Sequence, residues 1–93
     1  MQEDQTCSIA LSDQITSISF ERGGNALAAG TVEGLLHICD AVRGIRLRKL
    51  DCHNDAVTDV AWCRSPEANY LVATGSTDGT IVFHDVRSRF SVV

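Results

Sequence analysis

The chain has 93 residues, 44% of them hydrophobic and 22% charged, and a formal net charge of −4. This is ordinary globular composition, so a disordered chain is excluded, and the length suits one small domain or part of a larger one. A single lysine and seven arginines against twelve acidic residues exclude the clustered positive charge that a nucleic-acid surface needs.

The opening residues Met1-Gln2-Glu3-Asp4-Gln5 are polar and acidic, unlike a secretory or transit peptide. No apolar run approaches the roughly 20 residues that span a membrane, so no membrane partner is expected. Cys7, Cys39, Cys52 and Cys63 contain no Cys-x-x-Cys pair, and Cys52-His53 in a loop is not a zinc signature. Neither a metal nor a cofactor is expected, and without a secretory signal the thiols are expected to be reduced, in the cytoplasm, the nucleus or both.

In chain order, residues 15–20, 26–31, 35–39 and 45–50 read as short strands, followed by 57–62, 70–76, 80–84 and 89–93. Valine, isoleucine, threonine and aromatics fill these segments, with Gly, Asp and Asn between them. Leu27-Ala28-Ala29-Gly30 and Leu71-Val72-Ala73-Thr74-Gly75 are apolar or small on both faces, as in a sheet covered on both sides. Arg46 and Arg48 alternate with Ile45 and Leu47, which predicts a strand with one wet face. Asp78-Gly79 predicts a two-residue hairpin with positive φ at both central positions, and Glu33-Gly34 stands at the equivalent place. No segment has helical periodicity with caps.

The segments repeat. Ile15-Thr16-Ser17-Ile18-Ser19-Phe20 returns 42 residues later as Val57-Thr58-Asp59-Val60-Ala61-Trp62. Ala28-x-Gly30-Thr31-x-x-Gly34 returns 45 residues later as Ala73-x-Gly75-Ser76-x-x-Gly79, and Asp40 and Asp85 keep that spacing. The three extra residues fall between Cys63 and Asn69, which predicts a longer hairpin loop there. Propeller blades have this period. The expected fold is all-β, with about two four-stranded antiparallel blades over residues 12–50 and 53–93. Residues 6–11 are expected as an outer strand of a neighbouring blade. Complete propellers take about four to eight blades, so two units form an incomplete ring with open faces. A fragment, a truncated product or a subunit of an oligomeric propeller is expected, with self-association of the isolated chain.

With these features the chain resembles the WD-repeat (β-transducin) family over nearly its whole length. His53 followed by Asp55-Ala56-Val57-Thr58-Asp59-Val60-Ala61-Trp62 is similar to the family's Gly-His opening, with Cys52 in place of glycine. Leu71 to Asp85 follows the strand–turn–strand pattern that ends in Trp-Asp, where His84 replaces the tryptophan, as Cys39 does in the first unit. In the family a histidine, a Ser/Thr and a turn aspartate bond to that tryptophan and staple the blade. The resemblance implies that His53, Thr74 and Asp78 form this network, with His84 in the tryptophan's seat. Leu11, Ala29 and Glu33 occupy the corresponding places in the first unit and cannot form it.

The run from Ile15 to Gly23, then Ala28-Ala29-Gly30-Thr31 and Arg46-Leu47-Arg48-Lys49-Leu50, is similar to an early blade of the Fizzy-type activators of the anaphase-promoting complex. Gly75-Ser76 and His84-Asp85-Val86-Arg87 are similar to their next blade. This resemblance covers about residues 9–88 and implies a protein-interaction scaffold that presents degron-bearing substrates to a ubiquitin ligase in cell-cycle control. Proteins, including subunits of that ligase, are the implied partners. The chain shows neither the family's Asp-Arg-Tyr/Phe-Ile-Pro docking box nor its terminal Ile-Arg tail. The alternatives are a WD-repeat scaffold in another complex, such as a Cullin-ring ligase receptor or a trafficking or RNA-processing assembly, and a truncated product without function.

Sharper readings fare less well. His53, Ser76 and Asp78 suggest a hydrolase triad, but no Gly-x-Ser-x-Gly elbow or oxyanion hole accompanies them, so the chain is not expected to be an enzyme. The glycines are not phosphate loops, because no Gly-Lys-Ser/Thr or helix start follows them. Asp85-x-Arg87 resembles the Trp-Asp-x-Arg box that docks some WD proteins on ligase adaptors, which makes Asp85 and Arg87 candidate partner contacts. Trp62 is expected in the core, because Phe20 fills the same place in the first unit.

Overall fold

The computed structural model describes residues 8–86. Seven strands form, β1 (Ile15–Phe20), β2 (Ala26–Thr31), β3 (Leu35–Asp40), β4 (Ile45–Asp51), β5 (Val57–Trp62), β6 (Leu71–Ser76) and β7 (Ile81–Asp85). Each pairs antiparallel with its neighbour in sequence, giving one sheet β1-β2-β3-β4 and a second sheet β5-β6-β7. The fold is all-β, two blade-like meanders stacked face to face. The expected fourth strand at 89–93 lies outside the described residues. So does the start of the expected 6–11 strand, and Ser8 to Leu11 form no strand.

The facing sides of the two sheets build the core. Ala28, Leu36 and Ile38 of the first sheet meet Val57, Val60, Trp62 and Val72 of the second, all buried. β2 is small on both faces because a close neighbour lies on one side: a Cβ on Gly30 would come within 2.9 Å of Val57 Cβ. Glycine is what lets the two sheets approach here.

Polar groups join the sheets too. Trp62 donates its indole N–H to the Ser19 carbonyl at 2.8 Å and its backbone N–H to Ser19 Oγ at 3.2 Å. Thr16 Oγ1 donates to the Val57 carbonyl. Such a bond between buried groups contributes about 1 kcal/mol net, and more is lost when one partner is left alone.

The hairpin turns depart from expectation. Asp78 keeps a negative φ, while Gly79 has φ +87° and donates its N–H to the Ser76 carbonyl at 3.0 Å. That is a three-residue loop, a tight turn followed by a left-handed glycine, in place of a primed two-residue turn. Gly34, at φ +86° and bonded to Thr31 O at 3.2 Å, repeats it in the first sheet. Where the longer loop was expected, Pro66–Ala68 make one 3-10 turn, capped by Ser65 Oγ on Glu67 N. Pro66 starts this turn because its fixed φ suits a first helical position.

β4 also differs from its alternating pattern. A register irregularity opposite Ile38 and Cys39 shifts its residues, leaving Ile45 and Leu47 exposed and Arg48 half-buried. A bulge offsets the two-residue alternation by one position, which the sequence pattern does not signal. No helix among the described residues is long and apolar enough to cross a membrane.

Candidate functional site

The segment Cys52 to Ala56 crosses from the first sheet to the second and is gripped by both hairpin turns. The Gly34 carbonyl accepts the N–H groups of Cys52 and His53 at 3.2 and 3.1 Å, and the Cys52 thiol at 3.4 Å. A side chain at Gly34 would strike the His53 and Asp55 carbonyls, so the turn closes only on glycine. From the other side Asp78 Oδ2 accepts the Asn54 N–H at 3.0 Å.

His53 lies in this grip with its side chain fully covered. Its Nδ1 is 3.0 Å from Thr80 Oγ1 and 3.4 Å from Asp78 Oδ2, while its Nε2 is 2.7 Å from Thr74 Oγ1. Thr74 Oγ1 is in turn 3.0 Å from His84 Nε2. The donors run one way. Thr80 Oγ1 gives its proton to Asp78 Oδ1, so it accepts from His53 Nδ1–H. His53 Nε2 then accepts from Thr74, whose remaining lone pair accepts from His84 Nε2–H. The four residues singled out from the sequence thus form one continuous chain from β7 to the hairpin turn, and Thr80 is a fifth member. Thr80 was missed because only its position beside the turn, not its residue type, marks it.

The electrostatics follow the same order. Bonds from the Thr80 hydroxyl, opposed by desolvation and aided by the Asn54 and Thr80 N–H groups, push the Asp78 carboxyl down to about 2. Burial above all lowers the pKa of His84 and favours its neutral ring. No proton-abstracting constellation results. Both His53 nitrogens engage threonines, and Ser76 Oγ instead donates to the Asp55 carbonyl at 3.3 Å and accepts the Asp78 N–H at 3.1 Å. Among the described residues no three His, Cys, Asp or Glu side chains gather as a metal site.

Asp85 ends β7, and Arg87 lies outside the described residues. Trp62 is in the core at 6% exposure, but Phe20, its counterpart, is 50% exposed. The difference is one of neighbours. Trp62 faces the first sheet, whereas Phe20 faces outward beside Ile18, Leu27 and Cys39 over an apolar groove of about 310 Å³. The opposite end of the stack is apolar as well, with Phe83 at 72% and Ile81 at 70% exposure.

Comparison with known proteins agrees with this architecture. The family model of the anaphase-promoting complex subunit 4 WD40 domain matches residues 5–65. The chain is 31% identical over 87 residues to anaphase-promoting complex subunit cdh1 and 35% identical over 75 residues to subunit cdc20, both of Dictyostelium discoideum. These alignments cover 92% and 81% of the chain but only 11% and 14% of those relatives. Among solved structures, it superposes on a chain of the mitotic checkpoint complex with a TM-score of 0.74 at 29% identity, covering 86% of this chain and 23% of that one. The β-propeller domain of Cps50 (Swd1) from Myceliophteria thermophila gives 0.77 at 25% identity, over 85% and 23% of the respective chains. The chain belongs to the WD-repeat family of β-propeller proteins.

Proposed function

We propose that the chain works as part of an activator or substrate adaptor of the anaphase-promoting complex, a protein-interaction scaffold without catalysis of its own. The observation that carries this reading is identity above 30% with both cdh1 and cdc20 over at least four-fifths of the chain. A scaffold role at the level of the WD repeat is common to these relatives; the ligase assignment is the finer step. Degron-bearing substrates and ligase subunits are the partners it implies, in the cytoplasm or nucleus.

Within that reading the His53–Thr74–His84 chain and Asp78 are a structural staple. They hold the hairpin turn against the inter-sheet segment and so keep the loop surface in one shape for a partner. Rigid loops on a fixed scaffold bind at lower entropic cost than mobile ones. Asp85, at the end of β7, and Arg87, two residues further along the sequence, are proposed as partner contacts.

Immobilised full chain exposed to purified anaphase-promoting complex, and separately to a degron peptide, tests the assignment. Retention of either, weakened by Arg87→Glu, is the expected result. Binding to neither sinks the ligase reading and leaves a WD-repeat scaffold of another complex. The similarity to the Swd1 propeller favours that second reading at the level of fold.

A further inference from the structure

The chain carries the same interface twice, once filled and once divided between its two outer faces. Register assigns the faces. Ser19, Ala28 and Ile38 share one side of the first sheet, as do Ser17, Gly30 and Leu36, and this side covers the second sheet. Ile18 with Ala29, and Phe20 with Leu27 and Cys39, share the other side and line the open groove.

In the second sheet Val57, Val60 and Trp62 face inward, while Ala61, Ala73 and Phe83 share the outer face with Gly75 and Ile81. The repeat makes these outer residues the counterparts of the inner residues of the first sheet, with Ala73 for Ala28, Gly75 for Gly30, Ile81 for Leu36 and Phe83 for Ile38. At the other end Ile15, Ile18 and Phe20 are the counterparts of Val57, Val60 and Trp62. Each open face is therefore a copy of one half of the interface already formed inside the chain.

The glycines make the match specific. At Gly30 an added Cβ would run into Val57, because the valine sits in the space that glycine leaves. At Gly75 an added Cβ would meet only Thr58 Oγ1, at 3.9 Å. The same seat is present there and vacant within the chain, and Ile15 is the residue whose position in the repeat fits it. Thr16, the counterpart of Thr58, bonds the Val57 carbonyl across the filled contact.

We infer that the outer face of the second sheet docks on the outer face of the first sheet of another copy of this chain, head to tail. Such a contact joins different surfaces, so it closes into a ring when the rotation allows and otherwise grows into a filament. The inference depends on the blade stacking alone and stands or falls separately from the ligase reading.

Light scattering of the full chain behind a sizing column, over a range of concentrations, is the test. The expected result is a mass that is a multiple of the chain's, or one that rises with concentration. Gly75→Val fills the seat and is expected to weaken association about ten- to a hundredfold, with an unchanged β-sheet circular dichroism spectrum. Phe83→Glu, on an exposed side chain, does the same should the valine disturb the sheet. Ile18→Glu blocks the opposite face. Mixed with Phe83→Glu chains, it is expected to give one-to-one pairs although each variant alone is monomeric. A folded monomer at every concentration overturns the inference, as does an assembly that survives both Gly75→Val and Phe83→Glu.

Discussion

The two blades share one strand template and differ in what holds their hairpin turns. In the second, a carboxylate, two imidazoles and two threonine hydroxyls form a bonded chain beneath the turn, and Trp62 is buried against the neighbouring sheet. In the first, Leu11, Ala29, Glu33 and Cys39 occupy those places and Phe20 faces outward. Its turn is tied instead by Gly34 to the segment entering the second blade. His37, on the same face as Ala29, is buried without a hydrogen-bond partner for either ring nitrogen. A blade can therefore be held by its own polar interior or by backbone contact with the next blade. The second kind depends on its neighbours.

The largest test of that contrast is the aromatic pair. Trp62→Ala removes a buried ring and its bond to Ser19, and should cost about 3–5 kcal/mol. Phe20→Ala removes a half-exposed ring and should cost about a third of that at most in the monomer. Urea unfolding of the two variants, followed by circular dichroism, measures both. Equal losses would mean that the first blade's outer face is already covered in solution, by a second copy or otherwise.

Next come the positions of the central hydroxyl. Thr74→Val leaves His53 and His84 without their shared partner, and a loss of about 1–3 kcal/mol is expected. Ala29→Thr, which places the hydroxyl in the first blade, should destabilise by about 1 kcal/mol, because a β-branched side chain must enter a buried site sized for alanine. A stabilised Ala29→Thr chain would show that the first blade holds a latent staple.

The pH dependence sharpens the comparison further. His84 and His37 both have pKa values lowered from 6.5, chiefly by burial. The unfolded chain then binds protons that the folded chain does not, so stability is full above about 6.5 and falls as the pH drops below it. Asp78, held near 2 against an ordinary 3.8, stabilises the fold above the ordinary value, and this contribution is lost as pH falls from about 4 towards 2. Melting temperatures from pH 8 to 2 follow both steps. His84→Trp restores an indole donor and should shrink the first step to the His37 share, while Asp78→Asn should remove much of the second. A first step unchanged in His84→Trp would assign it to the first blade.

The smallest expected effect is at the unpaired turn. Glu33→Asp introduces the staple's carboxylate into the first blade, where Leu11 offers it no histidine, and should change stability by less than about 0.5 kcal/mol. A thermal shift beyond error would contradict the claim that this turn is held by the backbone of Gly34.

Much of this was legible without coordinates. The 42- and 45-residue offsets aligned the strands of one blade with those of the other, and all seven described strands start within one residue of their expected positions. The members of the polar chain could be named because the repeat and the family pattern put each at a fixed distance from a turn. Thr80 and the register irregularity in β4 could not, since both depend on how one strand lies against another. The primed turn expected at Asp78-Gly79 failed for a related reason. The Asp78 carboxylate bonds Thr80 and Asn54 from a negative φ, and Gly79 alone takes the left-handed conformation.

The sequence by itself determined the repeat, the strands, the small residues at the sheet contact and the polar residues beneath the second turn. These are local matters, set by alternation, turn chemistry and spacing. Only the tertiary structure decided that Trp62 is buried while Phe20 is open, that Gly30 is filled while Gly75 is vacant, and that His84 shares a hydroxyl with His53. Equivalent residues in a repeat have the same local preferences, and what separates them is whether a neighbouring sheet lies against them.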